Sequence, residues 1–143
     1  METQNYQNHA KRVPGFLAVI ILLLLSFMGA CVNFFQSMGD HQRIYSASLL
    51  VVLTGCVFFT AFFARIFALK AQDRAIRAEE SLRYYVLTGK LFDARLTIQQ
   101  IVGLRFASDD EFVALAKEAV EKNLDQKTIK MQVKNWRADT HRA

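Results

Sequence analysis

The chain has few of the residues that build disulfide frameworks, tight turns and metal sites. Its 143 residues include two cysteines, one proline, six glycines and three histidines. Cys31 and Cys56 lie in separate apolar runs, and on an antiparallel hairpin of helices their depths differ by on the order of 6 Å, which argues against a disulfide. No apolar run carries two histidines, so a membrane haem would lack its ligands. The sequence also has no phosphate-binding glycine loop, no CxxC and no HExxH pattern, and we therefore expect neither an enzyme nor a bound cofactor or metal.

A strong excess of charge of one sign is also lacking. The formal net charge is +5, from 18 basic and 13 acidic residues, and this is a weaker indication of nucleic-acid binding than a concentrated basic face. The one basic concentration lies near the C-terminal end, where a solvated helix face is its simplest interpretation. As a functional surface it fits anionic lipid headgroups or a protein partner before nucleic acid. Its members are Lys127, Lys130, Lys134, Arg137 and Arg142.

Two long apolar runs are present, over 16–35 and 45–64. Each has about the twenty residues that are needed to cross a bilayer. Because only residues 36–44 separate them, the two spans must form an antiparallel hairpin. Lys11 and Arg12 precede the first run and Arg65 follows the second, so the positive-inside rule places both termini in the cytoplasm. Arg65 is expected to reach the lipid headgroups.

The end of the first run permits a second interpretation. The sequence Met28-Gly29-Ala30-Cys31 resembles a lipoprotein signal with a lipidated cysteine. Met28 is a poor residue for such a signal, and the apolar run continues through Phe34 and Phe35. A membrane span is therefore the preferred interpretation.

Small residues recur along one stripe of the second span and of the charged segment after it. A repeat of seven residues keeps one helical stripe facing one partner, and small side chains let two backbones approach closely. The repeat predicts one helix that crosses the membrane and continues as a cytoplasmic stalk with coiled-coil character. We call this stripe the small-residue seam, and its candidate contact residues are Ala47, Thr54, Ala61, Ala64, Ala68, Ala71, Ala75, Ala78 and Leu82. Within the membrane the first span can cover it. Along the stalk a second copy, another protein or the chain's own C-terminal part must do so.

Capping patterns predict three short helices after the stalk. Gly89 indicates the end of the stalk helix. Thr97 with Gln100, and Ser108 with Glu111, have the spacing of capping boxes, and Asp125 is placed to cap the last helix.

The apolar residues of these helices predict a small core. Phe112, Leu115, Ala116 and Ala119 form the apolar face of the second helix, while Ile129, Val133 and Trp136 form that of the third. Ile98, Ile101, Val102, Leu104 and Phe106 complete the core. A module of this size is marginally stable alone, so we expect it to dock on the stalk near Leu82, Tyr85 and Val86. On the stalk itself, Glu79 and Arg83 have the spacing of an ion pair.

Several sequence blocks resemble an uncharacterised family of small bacterial membrane proteins that is found mainly in Bacteroidota. The blocks are spread over nearly the whole chain, at residues 4–9, 43–48, 67–77, 104–109 and 134–137. The resemblance implies a bacterial inner-membrane protein with two spans and a cytoplasmic helical tail. It implies no catalytic residues, because the family has no assigned activity.

The sequence thus predicts an all-α integral membrane protein of the bacterial inner membrane. The leading functional hypothesis is a non-enzymatic scaffold or accessory subunit that forms a homo-oligomer or joins a larger complex through the seam. One alternative is a membrane-tethered regulator whose basic C-terminal helices bind nucleic acid or an acidic partner, and another is a permease-associated transporter subunit. The predicted segments are a cytoplasmic segment (1–14), transmembrane helix 1 (15–37), a periplasmic turn (38–44), transmembrane helix 2 (45–67), the stalk helix (68–89) and a three-helix cytoplasmic module (90–143).

Overall fold

The computed structural model describes residues 5–7 and 13–138, and within them the fold is all-helical, as predicted. An isolated antiparallel bridge pairs Ala107 with Trp136. The chain divides into two compact units, Arg12–Ala68 and Met1–Lys11 together with Leu69–Ala143. The helices are α1 (Pro14–Gln36), α2 (His41–Thr88), α3 (Ile98–Leu104), α4 (Asp109–Glu121) and α5 (Gln126–Gln132).

The unit Arg12–Ala68 contains α1 and the first part of α2. Pro14 begins α1, where its missing N–H and fixed φ cost nothing. Gly39 has a φ of +117°, a backbone conformation that suits glycine. Asp40 then starts α2, since one of its carboxylate oxygens accepts hydrogen bonds from the backbone N–H groups of Gln42 and Arg43 at 3.0 and 3.2 Å.

Two contacts between α1 and α2 lie far apart along this unit. The Phe27 ring lies against Gly55, so close that a Cβ added there would be 3.5 Å from Phe27 Cε2. The guanidinium of the half-buried Arg65 lies 5.7 Å from the centre of the Phe16 ring. Cys31 and Cys56 are both free.

Most large apolar side chains of this unit are exposed. Leu22, Leu25 and Phe35 have 62%, 56% and 65% of their surface accessible. Both α1 and α2 are long and apolar enough to cross a membrane, and in each the most apolar 18-residue stretch is only 6% buried. A helix in the core of a water-soluble protein would instead be mostly buried.

The second unit has its core in the three short helices and the residues around them. Gly89, with a φ of +69°, ends α2 as predicted, and its N–H donates to the Tyr85 carbonyl at 2.7 Å. The side-chain amide of buried Gln100 donates to the Ala119 and Leu124 carbonyls, at 3.2 and 2.9 Å, and so ties α3 to the end of α4. The fully buried side chains of this core include Ile101, Leu104, Phe106, Phe112 and Ile129.

Three of the predicted local features are confirmed. Thr97 and Gln100 form a reciprocal capping box at the start of α3. Asp125 caps α5, since its carboxylate accepts from the Thr128 N–H at 2.9 Å. The predicted apolar face of α4 is buried, and its members are Phe112, Leu115, Ala116 and Ala119.

The predicted capping box at Ser108 is wrong. Ser108 occupies the N-cap position of α4 without a side-chain cap hydrogen bond. The Glu111 carboxylate turns away and accepts the backbone N–H groups of Lys134 and Asn135 at 3.1 and 3.0 Å. A contact across more than twenty residues therefore replaces the local one.

The predicted apolar face of the last helix is also partly wrong. Helix α5 ends at Gln132, so Trp136 lies beyond it, in the extended segment that is bridged to Ala107. Its ring nevertheless packs on the core, with its centre 4.9 Å from that of Phe106. Ile98, predicted to be a core residue, is 38% exposed and is the first residue of α3.

Candidate interaction surface

One face of α2 between residues 71 and 88 carries the helical module. Tyr84 belongs to the buried core cluster, and its ring centre lies 4.5 Å from that of Phe92 and 6.2 Å from that of Phe112. Ile76 and Glu80 are buried at the preceding turns on the same face. The spacing of four residues places all three on one side of the helix.

Arg83 links this face to the start of α4. Its guanidinium binds the Glu80 carboxylate at 3.0 Å, the Asp109 carboxylate at 2.6 Å and the Ala107 carbonyl at 2.7 Å. It also lies 4.1 Å from the centre of the Phe112 ring. The predicted pair of Arg83 with Glu79 is wrong, because Glu80 is the acid on the buried face.

Glu80 is a buried carboxyl group with cationic neighbours. Burial raises its pKa above 4.5, while the hydrogen bond and the charge of Arg83 act in the opposite direction. Arg137 approaches the second carboxylate oxygen at 3.9 Å, and its backbone N–H donates to the Phe106 carbonyl at 2.7 Å. The cluster joins α2, the start of α4 and the C-terminal segment, so its role is to fix the module on α2.

The predicted docking site of the module is wrong. Leu82, Tyr85 and Val86 are 64%, 52% and 74% exposed. The module docks through Glu80, Arg83 and Tyr84 instead, because a buried ion pair and an aromatic cluster form there. The missed signal is the pairing of Arg83 with Asp109, a contact between residues that lie 26 positions apart.

The small-residue seam lies on the other side of α2. We call the face of α2 that carries the module, with Ile76, Glu80, Arg83 and Tyr84, the docked face. At 3.6 residues per turn, the centre of the seam between residues 71 and 82 lies roughly 150° around the helix axis from the centre of the docked face. Every seam residue of this stretch is exposed, and so is Ala68 before it. We call Ala71, Ala75, Ala78 and Leu82, together with Tyr85, the exposed stripe.

The seam residues in the unit Arg12–Ala68 have a different environment. Ala47 is almost completely buried, and Thr54 and Ala61 are half-buried. The Thr54 hydroxyl donates to the Leu50 carbonyl of its own helix at 2.7 Å. Ala64 is exposed. Burial along the seam therefore decreases from the turn at Gly39 towards Arg65.

The predicted basic face of the last helix is not assembled. Lys127 is exposed, but Lys130 lies with its ammonium 5.4 Å from the centre of the Phe106 ring. Lys134 follows the end of α5, and Arg137 is engaged with Glu80 and the Phe106 carbonyl. The four cations therefore do not share one helical surface. Arg142 of the predicted basic concentration, and Lys11 and Arg12 before the first span, lie outside the described residues.

Open cavities lie along the second unit. Within residues 5–7 and 13–138, no three His, Cys, Asp or Glu side chains are grouped so as to hold a metal ion. A cavity of about 370 Å³ is lined by Glu79 and the Glu80–Arg83 cluster, and one of about 300 Å³ by Tyr84, Phe92 and surrounding charged residues. A third, of about 320 Å³, adjoins the exposed stripe and is lined by Arg74, Arg77, Ala78, Ser81 and Ile98.

The whole chain matches one protein family. The model of DUF6526, a family of unknown function, covers residues 1–143, and the chain belongs to this family. The resemblance to an uncharacterised family is thereby confirmed. No curated protein and no solved structure matches the chain.

Proposed function

We propose that this member of the DUF6526 family is a non-enzymatic scaffold or accessory subunit of a bacterial inner-membrane assembly. The observation that carries the proposal is the exposed stripe on α2, which remains accessible although the chain's own module is docked on the same helix. Exposed apolar residues in a continuous row are typical of an interaction surface. The exposed stripe therefore serves contacts with another chain.

A two-span hairpin anchors the protein. In its support, the two contacts between α1 and α2 pair Phe27 with Gly55 and Phe16 with Arg65. From the first contact to the second, the residue number on α2 rises by ten, from Gly55 to Arg65, while that on α1 falls by eleven, from Phe27 to Phe16. This is the pattern of antiparallel helices. The exposed apolar surface of both helices is suited to lipid.

The orientation that we propose places both termini in the cytoplasm and the turn at Gly39 in the periplasm. Arg65 then lies among the headgroups at the cytoplasmic surface, and α2 continues beyond it as the stalk. In intact cells, a membrane-impermeant thiol reagent should label a Gly39→Cys variant of a chain whose Cys31 and Cys56 are replaced by serine. A C-terminal cysteine tag should stay unlabelled, and its labelling would contradict this topology.

The contact itself is tested by adding bulk to the exposed stripe. Ala71→Leu and Ala75→Leu keep a good helix former in place. If another backbone lies close, each change overpacks the contact and weakens association by about 1–3 kcal/mol. The measurement is the size of the complex extracted from native membranes in mild detergent.

Ala114→Leu is the matched control, because Ala114 is an exposed alanine of α4 away from the stripe. It should leave the complex unchanged. Complexes of wild-type size for the Ala71 and Ala75 variants would show that the stripe is a solvated helix face, and the proposal would lose its main support.

A further inference from the structure

We propose that the exposed stripe binds a second copy of this chain, in parallel and in register, and that Arg74 of each copy pairs with Glu79 of the other. The inference rests on the proposed function and names the partner. The choice of a second copy as the partner depends on the charges beside the stripe, because small residues alone do not identify a partner.

The heptad positions of the stripe identify its two flanks. Ala75 and Leu82 occupy a positions, while Ala71, Ala78 and Tyr85 occupy d positions. Arg74 is then a g residue and Glu79 the e residue of the next heptad. In a parallel two-stranded coil, a g residue faces the e residue five positions later on the partner helix. The two charges are therefore opposite where a second copy would bring them together, and the symmetry of a dimer produces the pair twice.

Within the described residues, neither charge has a partner. Arg74 and Glu79 are both exposed, and in the part of the chain that the structure describes neither forms a hydrogen bond or an ion pair. At five residues apart they lie on opposite flanks of their own helix, so they do not pair with each other.

The flank beside Arg74 also has room for an incoming acid. The cavity of about 320 Å³ is lined by two guanidinium-bearing residues, Arg74 and Arg77, with Ala78, Ser81 and Ile98. A glutamate from a second helix lying on the stripe enters from this side. Its carboxylate meets two cations, and its methylene groups meet Ile98.

The docked module leaves this geometry open. Ile76, Glu80, Arg83 and Tyr84 occupy b, c and f positions, on the side of α2 that faces away from the a and d residues. Two copies in one membrane with the same topology have stalks that run in the same direction. A parallel arrangement follows, and the confinement of both copies to one membrane raises their effective concentration for a contact that is itself of modest strength.

The direction and register are tested by disulfide formation in the full-length chain in native membranes, with Cys31 and Cys56 replaced by serine. Ala71→Cys and Ala78→Cys should each form a covalent homodimer under mild oxidation, because identical d positions meet only in a parallel, in-register pair. Lys70→Cys is the control at an exposed c position and should form little dimer.

The charges are tested by exchange, with dimerisation measured by energy transfer between labelled full-length copies in vesicles of uncharged lipid. Arg74→Glu or Glu79→Lys alone replaces two attractions with two repulsions, and each should weaken dimerisation roughly tenfold. The double variant restores both pairs in reversed polarity and should return to within about threefold of the wild type. Lys117→Glu makes the same change in charge at an exposed position of α4, away from the stripe, and should have little effect. Unchanged Trp136 fluorescence verifies that the module stays docked.

The outcomes separate this inference from the proposed function. Homodimers at positions 71 and 78 with rescue by the double variant support the second copy. Crosslinks from these positions to a different protein, without homodimers, overturn the second copy but retain a subunit interface. If the double variant dimerises more weakly than either single variant, the parallel pairing is overturned. The absence of any crosslink overturns both proposals.

Discussion

Two faces of the same stretch of α2 differ in how their residues are satisfied. The docked face contains a buried carboxyl group, a guanidinium with three oxygen partners and an aromatic ring in the core cluster. The exposed stripe contains alanines, Leu82 and Tyr85. Charged groups and an aromatic ring thus occur on the face that the module covers. Alanines and two exposed larger side chains occur on the face that it leaves open. The comparison shows that the chain completes its own fold on one side and leaves the other side available.

The largest effect on association is expected when α2 is broken on the N-terminal side of the docked face. Ala71→Pro removes a helical hydrogen bond and clashes with the preceding turn, at a cost of about 3 kcal/mol or more. Because residue 71 precedes Ile76 and Arg83, we expect association through the stripe to be lost while the module stays docked. The size of the complex in mild detergent measures association through the stripe, and Trp136 fluorescence measures whether the module stays docked. A complex of unchanged size would show that a continuous helix is not needed for assembly.

The next effect concerns the docked face alone. Arg83→Met keeps the length of the side chain but leaves the buried Glu80 with Arg137 as its remaining cation, at 3.9 Å. The loss of charged hydrogen bonds should lower the stability of the module by about 2–3 kcal/mol. Urea unfolding of the detergent-solubilised chain, followed by Trp136 fluorescence, measures it. Arg77→Met, on the exposed surface, is the control and should change stability by less than about 0.5 kcal/mol. Equal midpoints for the two variants would contradict the role of Arg83.

The smallest effect is a change in pH dependence. Burial raises the pKa of Glu80 above 4.5, so the folded state binds a proton that the unfolded state has already released. The contribution of this group to stability is therefore complete below pH 4.5 and is lost as the pH rises through the raised value. Glu80→Gln should flatten the stability curve between this pH and neutrality, by less than about 1 kcal/mol because Arg83 offsets part of the burial cost. Parallel curves for the variant and the wild type would show that Glu80 does not titrate in this range.

What the sequence predicts well here is local. The ends of helices follow from residues within one turn of each other, and Gly89, Thr97 and Asp125 act as expected. The buried face of α4 follows from helical periodicity, as does the apolar character of α1 and of residues 45–64. These features need no knowledge of which distant segments meet.

What the sequence does not predict is decided by distant contacts. The choice of Glu80 over Glu79 as the partner of Arg83 depends on which side of α2 the module covers. A hydrophobicity argument selects Leu82, Tyr85 and Val86 for docking, whereas the structure uses a charged pair and Tyr84. Glu111 has the spacing of a capping residue, but the backbone N–H groups of Lys134 and Asn135 offer it a competing partner. No periodic pattern in a single sequence reveals these pairings.

The segment after α5 determines when the module can finish folding. Glu111 holds the backbone at Lys134 and Asn135, and Trp136 bridges to Ala107 and covers Phe106. These residues leave the ribosome after all five helices. Until they are made, α3 and α4 lack these contacts and part of the core stays uncovered. By then both apolar helices have already been made. The order of the chain therefore places the synthesis of both apolar helices before closure of the module, and the chain's single tryptophan is a natural reporter of the moment at which closure occurs.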